Sequence, residues 1–542
     1  MSENETQESG GSGELTRKEL VTRAGQVGAG IVVGGALVGP AAAATGGRRA
    51  PTPKRGGKLT FALEQDPVFL APFGQILTSG HWGKEPIYDS LLEWDRKLEV
   101  QPALAESYTT PNDTTYVFKL RRGVRFHNGK EMTAEDVKYS FDLQAAPPLP
   151  GSVAVLGLFP AIDRVEIVNK YSVRILMKRP DASLIGYLAW GRYSPIVPVD
   201  LYKQINPVTQ AIGTGPFRLE TFIPNDRVDL VRNPRFWKRG QPYLDALTLK
   251  TLPDEQARVA AIRSGAIDGA TFLYDAARNL ASDRNLNVLR GPTAAFRELQ
   301  MTLKGERKPW HDKRVRQAVS AALNRQDMTF RVYGGNGRPS GHIPPGYGPY
   351  PYPVADLRNN YLKFDLTKAR ALMAAAGQRN GFSVTMSTFS TPQDFPALAS
   401  VIKSQLAQIG IEVRIEAQEP GTFAANNGRG NFEWDLTARG MRGDPNGYVA
   451  EFGPASPAYK AWYEGGWDRP DLTRLIERGI ATVNQRQRTA IYRQIQRILF
   501  DEMVQVPLVS VNKFQVFRKP VKNMYVAFTD FNTGLRSAWL DR

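Results

Sequence analysis

Residues 121–141 read RRGVRFHNGKEMTAEDVKYSF, a basic run, a histidine, a glycine turn and then three carboxylates in close succession. Whether these residues are chemistry or scaffold decides how the whole chain is read. HNGK is a turn, because Asn128-Gly129 supplies the positive φ that tight turns need. Thr133 followed by Asp136 three positions later is a capping-box variant, and Glu131, Glu135 and Asp136 fall where the helix dipole favours negative charge. Val137 and Phe141 carry the helix onward, and His127 has no second metal ligand in its neighbourhood. The stretch reads as strand, turn and capped helix.

The same grammar extends outward. TYVFKL places Tyr116, Phe118 and Leu120 on one face of a strand. Val165–Met177 reads as two strands about a polar turn, and Arg227–Asn233 as another strand. Asp312 can cap KRVRQAVSAALN, with Val315, Val319 and Ala322 on one side, and Asp365 can cap LTKARALMAAAG, which Gly377 stops. In FPALASVIKSQLAQIG, Leu398, Ile402, Leu406 and Ile409 share a face and Gly410 ends the helix; with FSVTMSTF before it and IEVRIEAQ after it, this forms a β-α-β unit. Mixed elements without an internal repeat indicate an α/β protein.

A chain of 542 residues, 42% hydrophobic, has the bulk for more than one lobe. It contains no cysteine, which excludes disulfides, thiolate metal sites, cysteine nucleophiles and a lipid-anchored cysteine. Four dispersed histidines, His81, His127, His311 and His342, give no zinc-type spacing, so neither a metal nor a cofactor is expected. There is no G-x-S-x-G elbow, H-E-x-x-H or Walker loop. IGTGPF, Ile212–Phe217, lacks the lysine and the following Ser/Thr of a phosphate cradle; its glycines suit a close backbone approach to a ligand or to another strand. No catalytic residue is assigned.

The N-terminus has the form of an export signal. Residues 24–44 carry no charge and end in an alanine run, and TRKEL at Thr16–Leu20 resembles a twin-arginine signal with Lys18 in the second place. An uncleaved membrane anchor is the alternative, weakened by six glycines in the segment. Removal of residues 1–44 raises the net charge from +17 to +19, scattered rather than in blocks. Residues 45–58 follow as a Gly/Pro/basic linker.

The ordered segments YDSLLEWDRKLEVQPALAESYTTPNDTTYVFKLRRGVRFHNGKEMTAEDVKYSF, AIGTGPFRLETFIPNDRVDLVRNPRFW, YLDALTLKTLPDEQARVAAIRSGAIDGA, PWHDKRVRQAVSAALNRQDM, FDLTKARALMAAAG and IYRQIQRILFDEMVQVPLV resemble the peptide/nickel-type extracellular solute-binding proteins of ABC importers, solute-binding family 5, from about Gly56 to Asp541. The resemblance implies a two-lobed periplasmic-binding-protein (flytrap) fold of α/β class. Lobe I would comprise 59–88, 206–295 and the return at 505–542, with an inserted subdomain at 89–205, and lobe II would comprise 296–504. It implies a monomer that captures a peptide or other small organic solute between the lobes, outside the cytoplasm, and docks on ABC permease subunits, with no nucleic-acid partner.

Peptide-binding members are similar in holding the peptide amine with an acid a few positions before a DP dipeptide. This chain keeps Asp444-Pro445 but has Met441 and Arg442 where that acid is expected, and Phe395, Pro396 and Ala397 where dipeptide binders carry a carboxylate-binding arginine. The expected guest is therefore an organic, anionic solute meeting Arg439 or Arg442 on lobe II, with Met441 and Asp444 of the same segment, and Thr214-Gly215, Trp82 or Trp190 on lobe I. The alternatives are an exported polymer- or nucleic-acid-binding protein and an exported hydrolase.

Overall fold

The computed structural model describes residues 52–67, 70–73, 78–145, 161–191, 193–206, 209–529 and 532–542. The expected export signal at 1–44 and the linker up to residue 51 lie outside the described residues. Among the described residues no helix is long and apolar enough to cross a membrane.

Two mixed sheets organise two lobes. In the first, the strands run Leu286–Pro292, Val509–Arg518, Gly269–Phe272, Lys58–Leu63, Ala246–Thr251, Arg227–Arg232 and Phe217–Ile223 in spatial order, and Gly337–Pro339 pairs with the beginning of the Val509 strand. Lys58–Leu63 is parallel to both its neighbours. In the second sheet the order is Ile411–Gln418, Phe382–Phe389, Trp434–Arg439, Phe296–Met301 and Gln505–Pro507. Its β-α-β unit forms as the sequence indicates: Phe382–Phe389 and Ile411–Gln418 are parallel, with Phe382 opposite Ile411, and the helix Asp394–Leu406 buries Leu398, Ile402 and Leu406 between them. Gly410 closes that unit at φ 81°, a left-handed conformation that glycine adopts without steric cost.

The chain passes between the lobes at Thr293–Ala295 and again at Leu508. Gln505–Pro507 pairs with Glu298–Gln300 in the second sheet. The pivot is pinned by Leu508 N–H donating to the Arg297 carbonyl (2.9 Å) and Ala294 N–H donating to the Phe528 carbonyl (2.9 Å).

The inserted subdomain is a four-stranded antiparallel sheet in the order Ala105–Asn112, Thr115–Leu120, Ser172–Met177, Ile162–Asn169. The opening stretch is scaffold here. Its helix runs Ala134–Ala145, and Asp136 Oδ2 accepts from the Thr133 N–H at 2.8 Å. Asp136 is fully buried, and its other oxygen meets Lys130 Nζ at 2.6 Å and the Val199 N–H at 2.9 Å. A buried carboxylate so paired locks helix, turn and the 197–199 segment together.

His127 fastens the subdomain to the first lobe. Its Nε2–H donates to the Gly215 carbonyl (3.0 Å), and its Nδ1 accepts from the Gly213 N–H (3.3 Å), which fixes the neutral tautomer. Burial lowers its pKa from the ordinary 6.5 to about 4, against the opposing pull of the Gly215 carbonyl. Between these values the unfolded chain takes up a proton that the folded one refuses, so this contribution to stability is present above 6.5 and is lost as pH falls toward 4. The stability advantage of wild type over His127→Gln, read from urea midpoints at about pH 7.5 and about pH 4.5, should shrink at the lower pH; a constant difference would contradict the assignment.

Candidate functional site between the lobes

The subdomain of lobe I lies directly on lobe II. Buried apolar side chains from both, among them Leu188 and Trp190 on one side and Met441 and Tyr448 on the other, belong to one continuous cluster, so the lobes are closed. The closest approach is glycine to glycine: a Cβ built on Gly186 would stand 1.9 Å from the Gly443 carbonyl oxygen. The Ala182 N–H donates across the same interface to the Ile480 carbonyl at 2.8 Å. Gly186 lies in the short helix Leu184–Leu188, whose Tyr187 ring packs over Gly443 and stacks on Trp190 with ring centres 6.2 Å apart.

The lobe II wall is the segment after the strand Trp434–Arg439. Arg439 is buried, and its guanidinium meets Glu298 at 2.6 Å and Glu451 at 2.8 Å. Burial pushes the Glu298 carboxyl upward, opposed by the Arg439 charge. Asp444 is buried too and receives both ends of the Arg488 fork, at 2.9 and 2.6 Å. Met441 is buried in the apolar cluster. These three residues hold the segment in shape from inside.

Arg442 is different. Its backbone is clamped by Tyr347, whose hydroxyl accepts from the Arg442 N–H (2.9 Å) and donates to the Arg442 carbonyl (2.5 Å). Tyr347 lies 3.2 Å from the Tyr448 hydroxyl, which donates to the hinge carbonyl of Ala294 at 2.8 Å. The side chain itself leaves past Gly447, beside the Tyr187 hydroxyl. It is half-buried, and among the described residues its guanidinium has no hydrogen-bond or ion-pair partner.

On the lobe I side a cavity of about 80 Å³ is lined by Ser90, Trp94, Trp190, Tyr525 and Thr529 among others. Trp190 is buried, edge-on to Tyr193 at 4.4 Å. Trp82 is half-buried under the Lys513 ammonium, 5.8 Å from the ring centre, and its indole N–H meets no acceptor among the described residues. Thr214 and Gly215 instead face inward. Thr214 Oγ1 donates to Asp89 at 2.9 Å, and a Cβ on Gly215 would strike the Ile87 and Pro86 carbonyls at 2.6 Å, so the glycine loop makes its close approach to another chain segment. Asp89 also accepts from Trp237 Nε1 and pairs with Arg536; burial resists its ionisation, but these partners outweigh it and hold the carboxyl below its ordinary range.

Of the residues singled out in the sequence, Arg442 and Trp190 are thus brought together through Tyr187, and Trp82 stands on the lobe I side. Arg439, Asp444, Thr214 and Gly215 have internal partners. Tyr187, Tyr347 and Gly186 carry no motif of their own; the one sequence trace is the aromatic and glycine run GYLAWG at Gly186–Gly191.

Two lobes, two chain crossings and a closed interlobe contact are the architecture of a binding protein, and comparison with known proteins agrees. Residues 99–460 match the bacterial extracellular solute-binding proteins, family 5 (middle region). The chain belongs to that family. It is 30% identical over 466 residues to the glutathione-binding protein GsiB of Salmonella choleraesuis (strain SC-B67), with 81% of this chain and 86% of that one covered. Among solved structures it is similar to the periplasmic binding protein AgaA of A. tumefaciens R10 in complex with agropinic acid (26% identity, TM-score 0.78, covering 90% and 99% of the two chains). The fold is shared with the periplasmic binding protein DppA of Helicobacter pylori in complex with the peptide STSA (24% identity, TM-score 0.79, covering 90% and 99%). This family 5 protein is the extracytoplasmic solute-binding receptor of an ABC importer, which captures a small solute between its lobes for delivery to a membrane permease.

The glycine contact makes closure separable from folding. Gly186→Ala places a methyl group against backbone across the interface, yet within its own helix alanine is favoured by about 1 kcal/mol. The variant is expected to unfold at or above the wild-type temperature while remaining expanded in small-angle scattering under conditions where wild type contracts. Equal contraction of the two proteins would refute the contact.

Proposed function

We propose that the solute is a small organic anion bearing at least one carboxylate, held by Arg442 and covered by Tyr187 and Trp190, with Trp82 on the lobe I side. The observation that carries this reading is the Arg442 guanidinium, half-buried at the interlobe contact without a counter-charge among the described residues. A guanidinium in that position needs an acceptor when the lobes close, and its fork matches a carboxylate in two parallel hydrogen bonds. Glutathione and agropinic acid, named for the two relatives above, are both carboxylic acids. Met441, at the place of the amine-binding acid in peptide binders, is buried and apolar, which argues against a simple dipeptide.

In this reading the protein is a monomer exported through the twin-arginine-like signal at 1–44, and it returns its guest unchanged. Selection of the closed shape is its whole activity, because solute contacts from both walls are complete only in that shape.

Calorimetry with glutathione and with its dimethyl ester, on wild type and Arg442→Ala, tests the assignment. The free acid is expected to bind wild type and to lose about 30-fold or more in affinity in the variant, about 2 kcal/mol for a charge-assisted pair, while the ester binds both weakly. Equal affinity of the acid for wild type and variant, or an ester that binds wild type as well as the acid does, would overturn it.

A further inference from the structure

Arginines that are not exposed are a stringent group in this protein. Buried Arg258, Arg316, Arg325, Arg439 and Arg488 all donate to carbonyls or carboxylates, and so do half-buried Arg232, Arg297, Arg493 and Arg536. Among the described residues, two half-buried guanidinium groups make no hydrogen bond or ion pair: Arg442 in the cleft and Arg338. Burial lowers the pKa of Arg338, and no neighbouring charge or hydrogen bond opposes it.

Arg338 sits on the short strand Gly337–Pro339, opposite Ser510 and just beyond the hinge. It lines an open pocket of about 450 Å³ with Arg290, Asn336 and Asn512. Arg290 donates one N–H to Asn336 Oδ1 (3.0 Å) and makes no ion pair among the described residues, which leaves most of its fork open to the pocket. An adjoining pocket of about 500 Å³ shares Gly335 and Gly337 with the first and adds Arg358 and the exposed ring of Phe330. The carboxylate in this second pocket, Asp327, is already held by Arg331 at 2.8 Å and Gln405 at 3.0 Å. No acid lines the first pocket.

This pocket is not part of the solute cleft. On the strand Leu286–Pro292 the side chains alternate, and a Cβ on Gly291 would meet Val526, beside the cavity-lining Tyr525 and Ala527. Its partner across the strands, Lys513, reaches Trp82 on that same side. Arg290 and Pro292 therefore face the opposite side of the sheet.

We propose that the pocket formed by Arg290, Arg338, Asn336 and Asn512 is a second anion site, outside the solute cleft and next to the hinge, that takes a compact oxyanion group, phosphate or carboxylate. Two guanidinium groups from separate strands line it beside two asparagine side chains and no acid, a lining suited to an oxyanion. The adjoining Phe330 and Arg358 give an organic anion room to extend.

Titration calorimetry at constant ionic strength, with inorganic phosphate and with citrate as separate probes and chloride as the control, tests the site on the full exported chain. At least one oxyanion is expected to bind wild type saturably, to bind Arg442→Ala equally well, and to lose about 10-fold or more in affinity in Arg290→Ala/Arg338→Ala. Phosphate alone binding would identify a tetrahedral group as the ligand head, and citrate alone a carboxylate. Neither probe binding, or binding that survives in the double variant, would overturn the proposal, and binding lost in Arg442→Ala alone would return the anion to the solute cleft. Among the described residues Arg338 makes no hydrogen bond that its loss would orphan; should the alanine pair fail to fold, Arg290→Gln/Arg338→Gln carries the same expectation.

Discussion

A guanidinium withdrawn from water must find acceptors, since five N–H donors and a positive charge left unmatched cost several kcal/mol. This constraint shapes the protein more than any catalytic-looking motif does. Arg325 is buried with no carboxylate partner among the described residues; it donates to the Pro507, Ser320 and Leu323 carbonyls, and burial pulls its pKa down to about 9. It thereby ties a lobe II helix start to the strand that leads into the hinge. Arg316 does the same for the helix Lys313–Ala322, reaching the Glu502 and Trp310 carbonyls. Arg439 with Glu298 and Glu451, Arg488 with Asp444, and Arg536 with Asp89 each fix one wall of the cleft from behind. The walls are rigid because their charges are turned inward and matched.

The net charge of +17 takes on a different meaning in this light. A basic balance suggests a polyanion partner only when the charges are free and gathered on one surface. Here Arg258, Arg325 and Arg493 are internal fasteners on backbone carbonyls, and Arg316, Arg439, Arg488 and Arg536 are matched inside by carboxylates, so these charges are not free on a surface. Among the described residues, the two half-buried guanidinium groups left open lie apart from each other, one facing the inserted subdomain and one beside the hinge, and do not form one basic surface.

Local signals were the legible part of the sequence. Thr133/Asp136, Asp312 and Asp365 mark helix starts, Gly377 and Gly410 mark helix ends, and the apolar spacing of Leu398, Ile402 and Leu406 places a helix on a sheet, each from a handful of neighbouring residues. Those signals reach as far as an α/β protein; the two lobes and the inserted subdomain come from the resemblance of the ordered segments to solute-binding family 5. The site was legible only in outline. The sequence nominates Arg439 and Arg442 equally, because nothing local says that Glu298, 141 positions away, has already claimed Arg439. Thr214-Gly215 looks like a ligand loop because glycines report close approach without saying to what. Tyr347, which sets the Arg442 backbone from 95 positions away, leaves no trace at all. Long-range pairing decides which of two like residues is free, and a single sequence does not contain that bookkeeping.

The way Arg442 is mounted explains how one guest could govern a large movement. Its backbone N–H and carbonyl are both held by the Tyr347 hydroxyl, the Tyr347 ring packs edge-on to Tyr448, and Tyr448 donates to the Ala294 carbonyl, so the Arg442 backbone is placed with respect to the hinge. To carry a two-state equilibrium from 1:99 to 99:1 a ligand must prefer one state by about 5.5 kcal/mol. A desolvated carboxylate–guanidinium pair contributes about 2–5 kcal/mol when its partner is otherwise left bare. The remainder needs roughly 100 Å² of apolar surface at about 25 cal/mol per Å², less than one aromatic side chain buries. Trp190 and Tyr187 are already buried at this contact, so such surface is covered as the lobes meet, and the Gly186–Gly443 contact lets the lobes come near enough to cover it. A side chain at either glycine would hold the walls apart and leave the anion solvated, so the bareness of the glycines and the charge of the arginine act as a single device.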